Sequence, residues 1–194
     1  MTKKQVEMVE AALELLEEKG AEAVSIRGVA TRLCVRMNTV LWHIKSKARL
    51  LELMADAIVA EIDLDDLPEQ WQERVRELAR RYRQALLSHR DGAVIVTGTY
   101  TAEPATLRFA DTMIEALLAG GLTEQEAAWR CWAIVYFVLG LAQEEQAAAD
   151  ADVEVLDQAL SGGHYPSLDR VLPHLRTGSF DERFEYGLNL LTAA

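Results

Sequence analysis

The sequence has few residues that could crosslink it or hold a metal ion. Its 194 residues include only two cysteines, Cys34 and Cys131, which lie far apart with no cluster of ligand-type residues beside them. This excludes a disulfide framework and a zinc knuckle, so a reducing, cytoplasmic location is expected. The four histidines form no HxxxH or HExxH pair, and neither a metal site nor a cofactor is predicted.

Long apolar runs and enzymatic motifs are also missing. The longest apolar run, residues 127–142, is interrupted by Arg130 and is shorter than the ~20 residues that span a bilayer. The chain starts with a charged helical pattern rather than an apolar leader, so neither a signal peptide nor a membrane segment is expected. GxSxG, GxGxxG and P-loop motifs are absent. No enzyme is therefore predicted.

A positive net charge is missing as well. The chain has 20 Lys and Arg against 31 Asp and Glu, a formal charge of −11, whereas nucleic-acid-binding proteins are usually basic. The charge is unevenly placed, however: residues 1–49 carry a net +3 and residues 50–194 a net −14. Residues 25–49 contain six basic side chains and no acidic one. This asymmetry predicts two modules with different partners; a merely solvated basic face is the alternative.

What the sequence does have is helical periodicity. Apolar residues recur at spacings of three and four, which predicts an all-α fold of about nine or ten helices. The predicted helix starts are N-caps at Ser25 and Ser46 and capping boxes at Thr123 with Glu126 and Ser179 with Glu182. Residues 93–96 are β-prone but lack a partner segment, so no strand is expected.

Two short helices, over about residues 25–33 and 37–43, have helix-turn-helix proportions. In that motif the second helix lies in the major groove of DNA, beside cations that neutralise phosphates. The basic residues of 25–49 surround this pair of helices, and Asn38, Thr39, Trp42 and His43 lie on the second one. The pattern favours a DNA-binding module.

The residues around this motif carry a more specific resemblance. Residues 25–30 read SIRGVA, residues 39–47 read TVLWHIKSK, and residues 85–93 read ALLSHRDGA. These segments resemble the TetR family of bacterial regulators, most closely its tetracycline repressor subgroup, along almost the whole chain. The resemblance implies an N-terminal three-helix DNA-binding domain and a C-terminal helical domain for ligand binding and dimerisation. With a boundary in the acidic stretch 63–69, the expected domains are 1–47, a connecting helix and linker at 48–67, and 68–194.

The resemblance implies a set of DNA contacts. Arg27 would read a base edge, for which its forked guanidinium suits guanine, while Ser25, Thr39 and Lys47 would bind phosphate. Met37, Asn38 and Leu41 differ from the subgroup, so a different operator is expected. The full predicted DNA-binding set is Ser25, Arg27, Met37, Asn38, Thr39, Leu41, Trp42, His43 and Lys47. For Trp42 a core position, and for His43 a solvated surface position, are the alternatives.

The resemblance also implies a ligand pocket between the long helices of the second domain. The matching positions are Asp63, Leu86, Val96, Thr99, Tyr100, Leu107, Met113, Leu117, Trp132, Phe137 and Glu144. Each of them has an ordinary core or surface position as its alternative. In the tetracycline repressor subgroup two histidines hold the drug as a magnesium chelate; here Asp63 and Val96 stand in their places, and valine cannot bind Mg²⁺. A small, largely apolar effector is therefore expected, without a metal.

Together these features predict a ligand-responsive transcriptional regulator. The expected form is a homodimeric repressor, because two recognition helices ~34 Å apart read a palindromic operator. The core helix from residue 127 and the last helix, from residue 180, would form a four-helix bundle with the partner subunit. The expected partners are duplex DNA, a small-molecule effector and a second copy of the chain, with no membrane. The alternatives are control by a protein partner and an all-α enzyme on the same fold.

Overall fold

The computed structural model describes residues 1–99, 102–148, 163 and 165–193. Within these residues the chain forms ten α-helices and no strand, which confirms the predicted all-α fold. In chain order the helices are α1 Lys3–Lys19, α2 Ile26–Arg32, α3 Met37–Ile44, α4 Lys47–Val59, α5 Trp71–Leu87, α6 Gly92–Val96, α7 Pro104–Ala119, α8 Glu124–Ala147, α9 Pro166–Thr177 and α10 Phe180–Thr192.

The helices begin where short side chains cap them. Ser25 and Ser46 accept hydrogen bonds from the backbone at the starts of α2 and α4. The capping boxes of Thr123 and Ser179 open α8 and α10. All four predicted starts are confirmed. The β-prone residues 93–96 belong to the short helix α6.

Helices α1 to α3 and the start of α4 form a small head. The sides that face one another are apolar, and Leu16, Val29, Val40, Ile44 and Leu50 are buried between them. Such burial is the main free-energy gain of a small helical domain. It leaves the outer sides of α2 and α3 open to solvent.

The body is built from α5, α7, α8 and α10, which pack against one another. Helices α8 and α10 cross closely at Gly187, where an added Cβ would lie 2.3 Å from Cζ of Phe137. Two arginines on α5 form ion pairs with α8 and α10. Arg80 binds Glu185 on α10 through two hydrogen bonds, and Arg83 binds Glu145 on α8. None of the described helices combines the length and apolarity that crossing a membrane requires.

Helix α4 joins the head to the body. It packs on α1 within the head and on α6 and α7 within the body. A second link comes from the turn before α6, where His89 contacts Glu17 of α1 and Asp91 accepts a hydrogen bond from the backbone of Ala21. The position of the head therefore depends on how α4 and this turn sit on the body.

Candidate functional site

Helix α3 presents a polar and aromatic face to solvent. Val40 and Ile44 are fully buried beneath it, whereas Asn38 and Trp42, one turn apart, point outward. Trp42 is 74% exposed, so it is not a core residue. The ammonium of Lys45 lies 5.0 Å from the centre of the Trp42 ring, a cation–π distance.

The other predicted DNA-binding residues lie around this face. Met37 and Thr39 are exposed at the start of α3, Arg27 in the first turn of α2, and Lys47 at the start of α4. Ser25 accepts a 3.0 Å hydrogen bond from the backbone N–H of Gly28. Leu41 and His43 are half-buried, and the His43 carbonyl accepts a hydrogen bond from Gln5 of α1. We call the exposed surface of α2, α3 and the start of α4 the DNA face.

The six basic side chains of residues 25–49 divide into two groups. Arg32 is paired with Glu14 and Glu18 of α1. Arg49 is paired with Glu52 and, at 2.6 Å, with Glu103 before α7. Among the residues that the structure describes, the remaining four have no acidic partner: Arg27, Arg36, Lys45 and Lys47. Of the six cations in residues 25–49, four are therefore available to phosphates.

A cavity of about 540 Å³ opens in the body. Helices α4, α5, α7 and α8 and the residues 97–99 after α6 form its wall, with Val59, Phe109 and Leu139 among the apolar contacts. No charged side chain of the described residues lines it. Volume and apolar lining are typical of a site for a small organic molecule.

The positions predicted to bind a ligand are distributed unevenly around this cavity. Those on its wall are Val96, Thr99 and Trp132. Those buried elsewhere in the core are Leu86, Met113 and Leu117. The ring of Phe137 stacks on the ring of Phe184, with 6.0 Å between the ring centres. Those exposed to solvent away from the wall are Asp63, Leu107 and Glu144. Tyr100 lies outside the described residues. The structure thus brings three of the predicted positions together and leaves the other described ones apart.

Several wall residues were not predicted from the sequence. Tyr82 of α5 and Cys131 of α8 are buried at the wall. Desolvation raises the pKa of Tyr82 and raises the pKa of Cys131 to about 11, so both remain protonated at neutral pH. The recurrence of Ala128, Val135 and Leu139 on the apolar helix α8 was the available signal, since this spacing marks one helical face.

The residues present do not fit a magnesium chelate. Val96 lies on the wall but has no metal-binding atom, and Asp63 and Glu144 do not line the cavity. No group of three His, Cys, Asp or Glu side chains in the described ranges converges as a metal site requires. Mg²⁺ needs several oxygen ligands in octahedral geometry, so this donor set does not support it.

One buried carboxylate connects α4 with the cavity wall. Asp56 of α4 is 6% exposed and accepts hydrogen bonds from the backbone N–H of Thr106, at 2.8 Å, and from its hydroxyl, at 2.9 Å. Thr106 lies in the first turn of α7 and lines the cavity. A change at the wall can therefore reach α4 through a direct hydrogen bond.

Two protein families and several characterised proteins match the chain along nearly its whole length. The family described as "Bacterial regulatory proteins, tetR family" matches residues 8–54, and "Tetracyclin repressor-like, C-terminal domain" matches residues 65–193. The tetracycline repressor protein class G of Vibrio anguillarum is 36% identical over 96% of this chain and 90% of its own.

Solved structures show the same similarity. A possible TetR family transcriptional regulator from Streptomyces coelicolor A3(2) has 35% identity and a TM-score of 0.85, over 97% of this chain and 96% of its own. The Streptomyces coelicolor protein ActR, in complex with actinorhodin, has 26% identity and a TM-score of 0.86, over 98% of this chain and 95% of its own.

Proposed function

Because the chain belongs to the TetR family, in its tetracycline repressor subgroup, we propose that it is a homodimeric repressor released from DNA by a small, largely apolar effector. Proteins of this family are ligand-responsive regulators rather than enzymes. The observation that carries the proposal is that α4 belongs to both sites: Lys47 stands at the DNA face, and Ala55 and Val59 line the cavity.

In this proposal the DNA face binds the operator. Arg27 reads a base, Asn38 and Met37 meet the groove at the start of α3, and Thr39 and Lys47 bind phosphates. Functionally, residues 1–47 bind DNA, residues 48–67 connect the two modules, and residues 68–194 bind the ligand and the partner subunit. The separation of positive head and negative body supports this division.

Effector binding acts on DNA affinity through α4. The effector must bind more tightly to the form of the dimer that fits the operator poorly, because only a difference in affinity can shift the equilibrium. Two contacts of α4 with the start of α7, Asp56 with Thr106 and Arg49 with Glu103, support this route. An effector that displaces the start of α7 tilts α4 and changes the spacing of the two heads. The complex of ActR with actinorhodin supports an organic effector.

The proposed dimer uses the outer sides of α8 and α10. Trp129 on α8 and Tyr186 and Leu190 on α10 are large apolar or aromatic side chains that the single chain leaves exposed. Such exposed side chains on neighbouring helices are typical of a protein interface. Two copies related by a two-fold axis would bury them and set two copies of α3 side by side.

A promoter reporter tests repression. DNA flanking the chain's own gene is placed before a reporter, which is measured without the protein, with it, and with the Arg27→Ala variant. We expect the protein to lower the reporter signal and the variant to restore it. Higher reporter activity with the protein would indicate an activator, and equal activity of protein and variant would contradict DNA reading by Arg27.

A further inference from the structure

Tyr82 contributes a polar group to the cavity wall that the protein itself does not use. Its side chain is 3% exposed and lines the cavity, and its ring packs on Phe109 with 4.9 Å between the centres. No hydrogen bond of its hydroxyl is found within the described chain. No described side-chain nitrogen or oxygen is both fully enclosed and unpartnered. The Tyr82 hydroxyl therefore opens onto the cavity.

Three other polar side chains of the wall already donate hydrogen bonds within the protein. The Thr99 hydroxyl donates to the carbonyl of Val96 at 2.6 Å, and the Thr106 hydroxyl donates to Asp56. The Gln143 amide donates to the Thr97 hydroxyl at 2.8 Å. The Tyr82 O–H, in contrast, is available to donate a hydrogen bond to a ligand in the cavity, hereafter called the guest.

The chemistry of Tyr82 fixes what it can bind. Burial raises the pKa of its phenol, so the group stays neutral and keeps its proton at physiological pH. A protonated phenol donates a hydrogen bond to a carbonyl, ether or hydroxyl oxygen. A guest without an acceptor at this point would leave a buried donor unsatisfied, which is unfavourable.

The rest of the wall determines the charge and shape of the guest. Because no charged side chain of the described residues lines the cavity, an ionised guest would lose its hydration without gaining a counter-charge. Phe109 and the stacked pair Trp132 and Tyr136 offer aromatic surfaces, which favour flat aromatic guests.

We propose that the effector is a neutral, largely aromatic molecule with a carbonyl-type oxygen that accepts a hydrogen bond from Tyr82. This inference rests on the proposed function, since it assigns the ligand class of the same cavity. It makes Tyr82 a specificity-determining residue: the hydroxyl selects guests with an acceptor over guests of equal shape without one.

Three matched probes test the assignment by equilibrium dialysis with the full-length protein. 9-Fluorenone is neutral and has one carbonyl, fluorene has nearly the same shape without it, and 9-fluorenone-4-carboxylate adds a charge. We expect 9-fluorenone to bind about five- to tenfold more tightly than fluorene, the effect of one hydrogen bond, and the carboxylate to bind at least tenfold more weakly than 9-fluorenone.

The Tyr82→Phe variant removes only the hydroxyl. It should abolish the preference for 9-fluorenone and leave fluorene binding at least as tight as in the wild type, which also shows that the variant's cavity is intact. Tyr165→Phe, which removes a hydroxyl at the start of α9 outside the cavity, should retain the preference. The inference is overturned if Tyr82→Phe keeps the preference, if neither neutral probe binds the wild-type protein, or if the carboxylate binds as tightly as 9-fluorenone.

Operator binding, measured on the same samples, separates this inference from the proposed function. If 9-fluorenone binds through Tyr82 but leaves operator affinity unchanged, the ligand class stands and effector-driven release fails. If 9-fluorenone releases the operator at the same concentration from wild type and from Tyr82→Phe, release stands and the role of Tyr82 is overturned.

Discussion

At the scale of single residues, the pairing of each cation decides whether it can meet DNA. Arg32 and Arg49 have carboxylate partners in the protein, whereas Arg27 is exposed without one among the described residues. An arginine already paired would have to lose its partner before binding a phosphate. Equal charge in the sequence therefore does not mean equal contribution to DNA affinity.

Replacing Arg27 tests base reading by the head. Arg27→Ala should lower operator affinity about tenfold or more, because one bidentate contact to a base is lost in each half-site. Fluorescence anisotropy with a labelled operator measures the loss. The control is Arg108→Ala, which removes an exposed arginine from α7 of the body and should change the affinity by less than about twofold. Equal effects of the two variants would contradict the assignment.

The two cysteines should differ sharply in reactivity. Cys34 is exposed, while burial raises the pKa of Cys131 to about 11. Thiolate is the reactive form, so at pH 8 Cys131 remains protonated and reacts slowly. Iodoacetamide should rapidly label one thiol per chain in the wild-type protein and no thiol in the Cys34→Ser variant. Mass spectrometry measures the number of labels. Rapid labelling of Cys131 at pH 8 would contradict a buried, protonated thiol at the cavity wall.

At the scale of elements, the start of α7 depends on a carboxylate from another helix. Asp56→Ala should lower the free energy of unfolding by about 1–2 kcal/mol, since the cap of α7 is lost. Asp56→Asn keeps an acceptor oxygen and should lower the free energy of unfolding by a smaller amount. Urea unfolding measures both variants. Unchanged stability of Asp56→Ala would mean that the buried carboxylate gains nothing from Thr106.

Elements defined by local chemistry could be predicted from the sequence. Ser25, Ser46, Thr123 and Ser179 mark the helix starts because a cap acts within three residues of itself. The short helix α6 was harder to predict, since its β-branched residues favour a strand and only packing on α4 and α8 overrides them.

The cavity could be predicted only in part. Its wall forms where α4, α5, α7 and α8 converge. Which residues line the cavity therefore depends on how four helices that are far apart in sequence pack against one another. Leu86 and Leu117 have the expected apolar character but turn into the core. The sequence shows only that Tyr82 lies on an amphipathic helix. Its contact with the cavity could not be predicted, because the packing of the helices determines it.

At the scale of the whole molecule, charge and symmetry act together. Residues 50–194 carry a net charge of −14, while residues 25–49 are free of acidic side chains. In the proposed dimer, a negative body would repel DNA everywhere except at the heads and so orient the dimer on the duplex. If the four unpaired cations of residues 25–49 make the phosphate contacts in each head, operator affinity should fall with salt with a log–log slope of about −7 per dimer.

The proposed interface can be tested by placing charge within it. Tyr186 is 70% exposed in the single chain, and Tyr186→Glu should convert the dimer into monomers because an unpaired carboxylate would be buried in the interface. Sedimentation velocity measures the change, and operator affinity should fall with it. Leu118→Glu adds the same charge to an exposed position of α7 and should leave the dimer intact. A dimeric Tyr186→Glu would place the interface elsewhere.

The most direct test is selection of bound duplexes from a randomised DNA pool by the full-length protein. A homodimeric operator-binding regulator predicts enrichment of one inverted repeat, with half-site centres about one helical turn, ~34 Å, apart. That repeat should bind at least ~10³-fold more tightly than a scrambled duplex. No enriched sequence, or a single half-site without its inverted copy, would contradict the account.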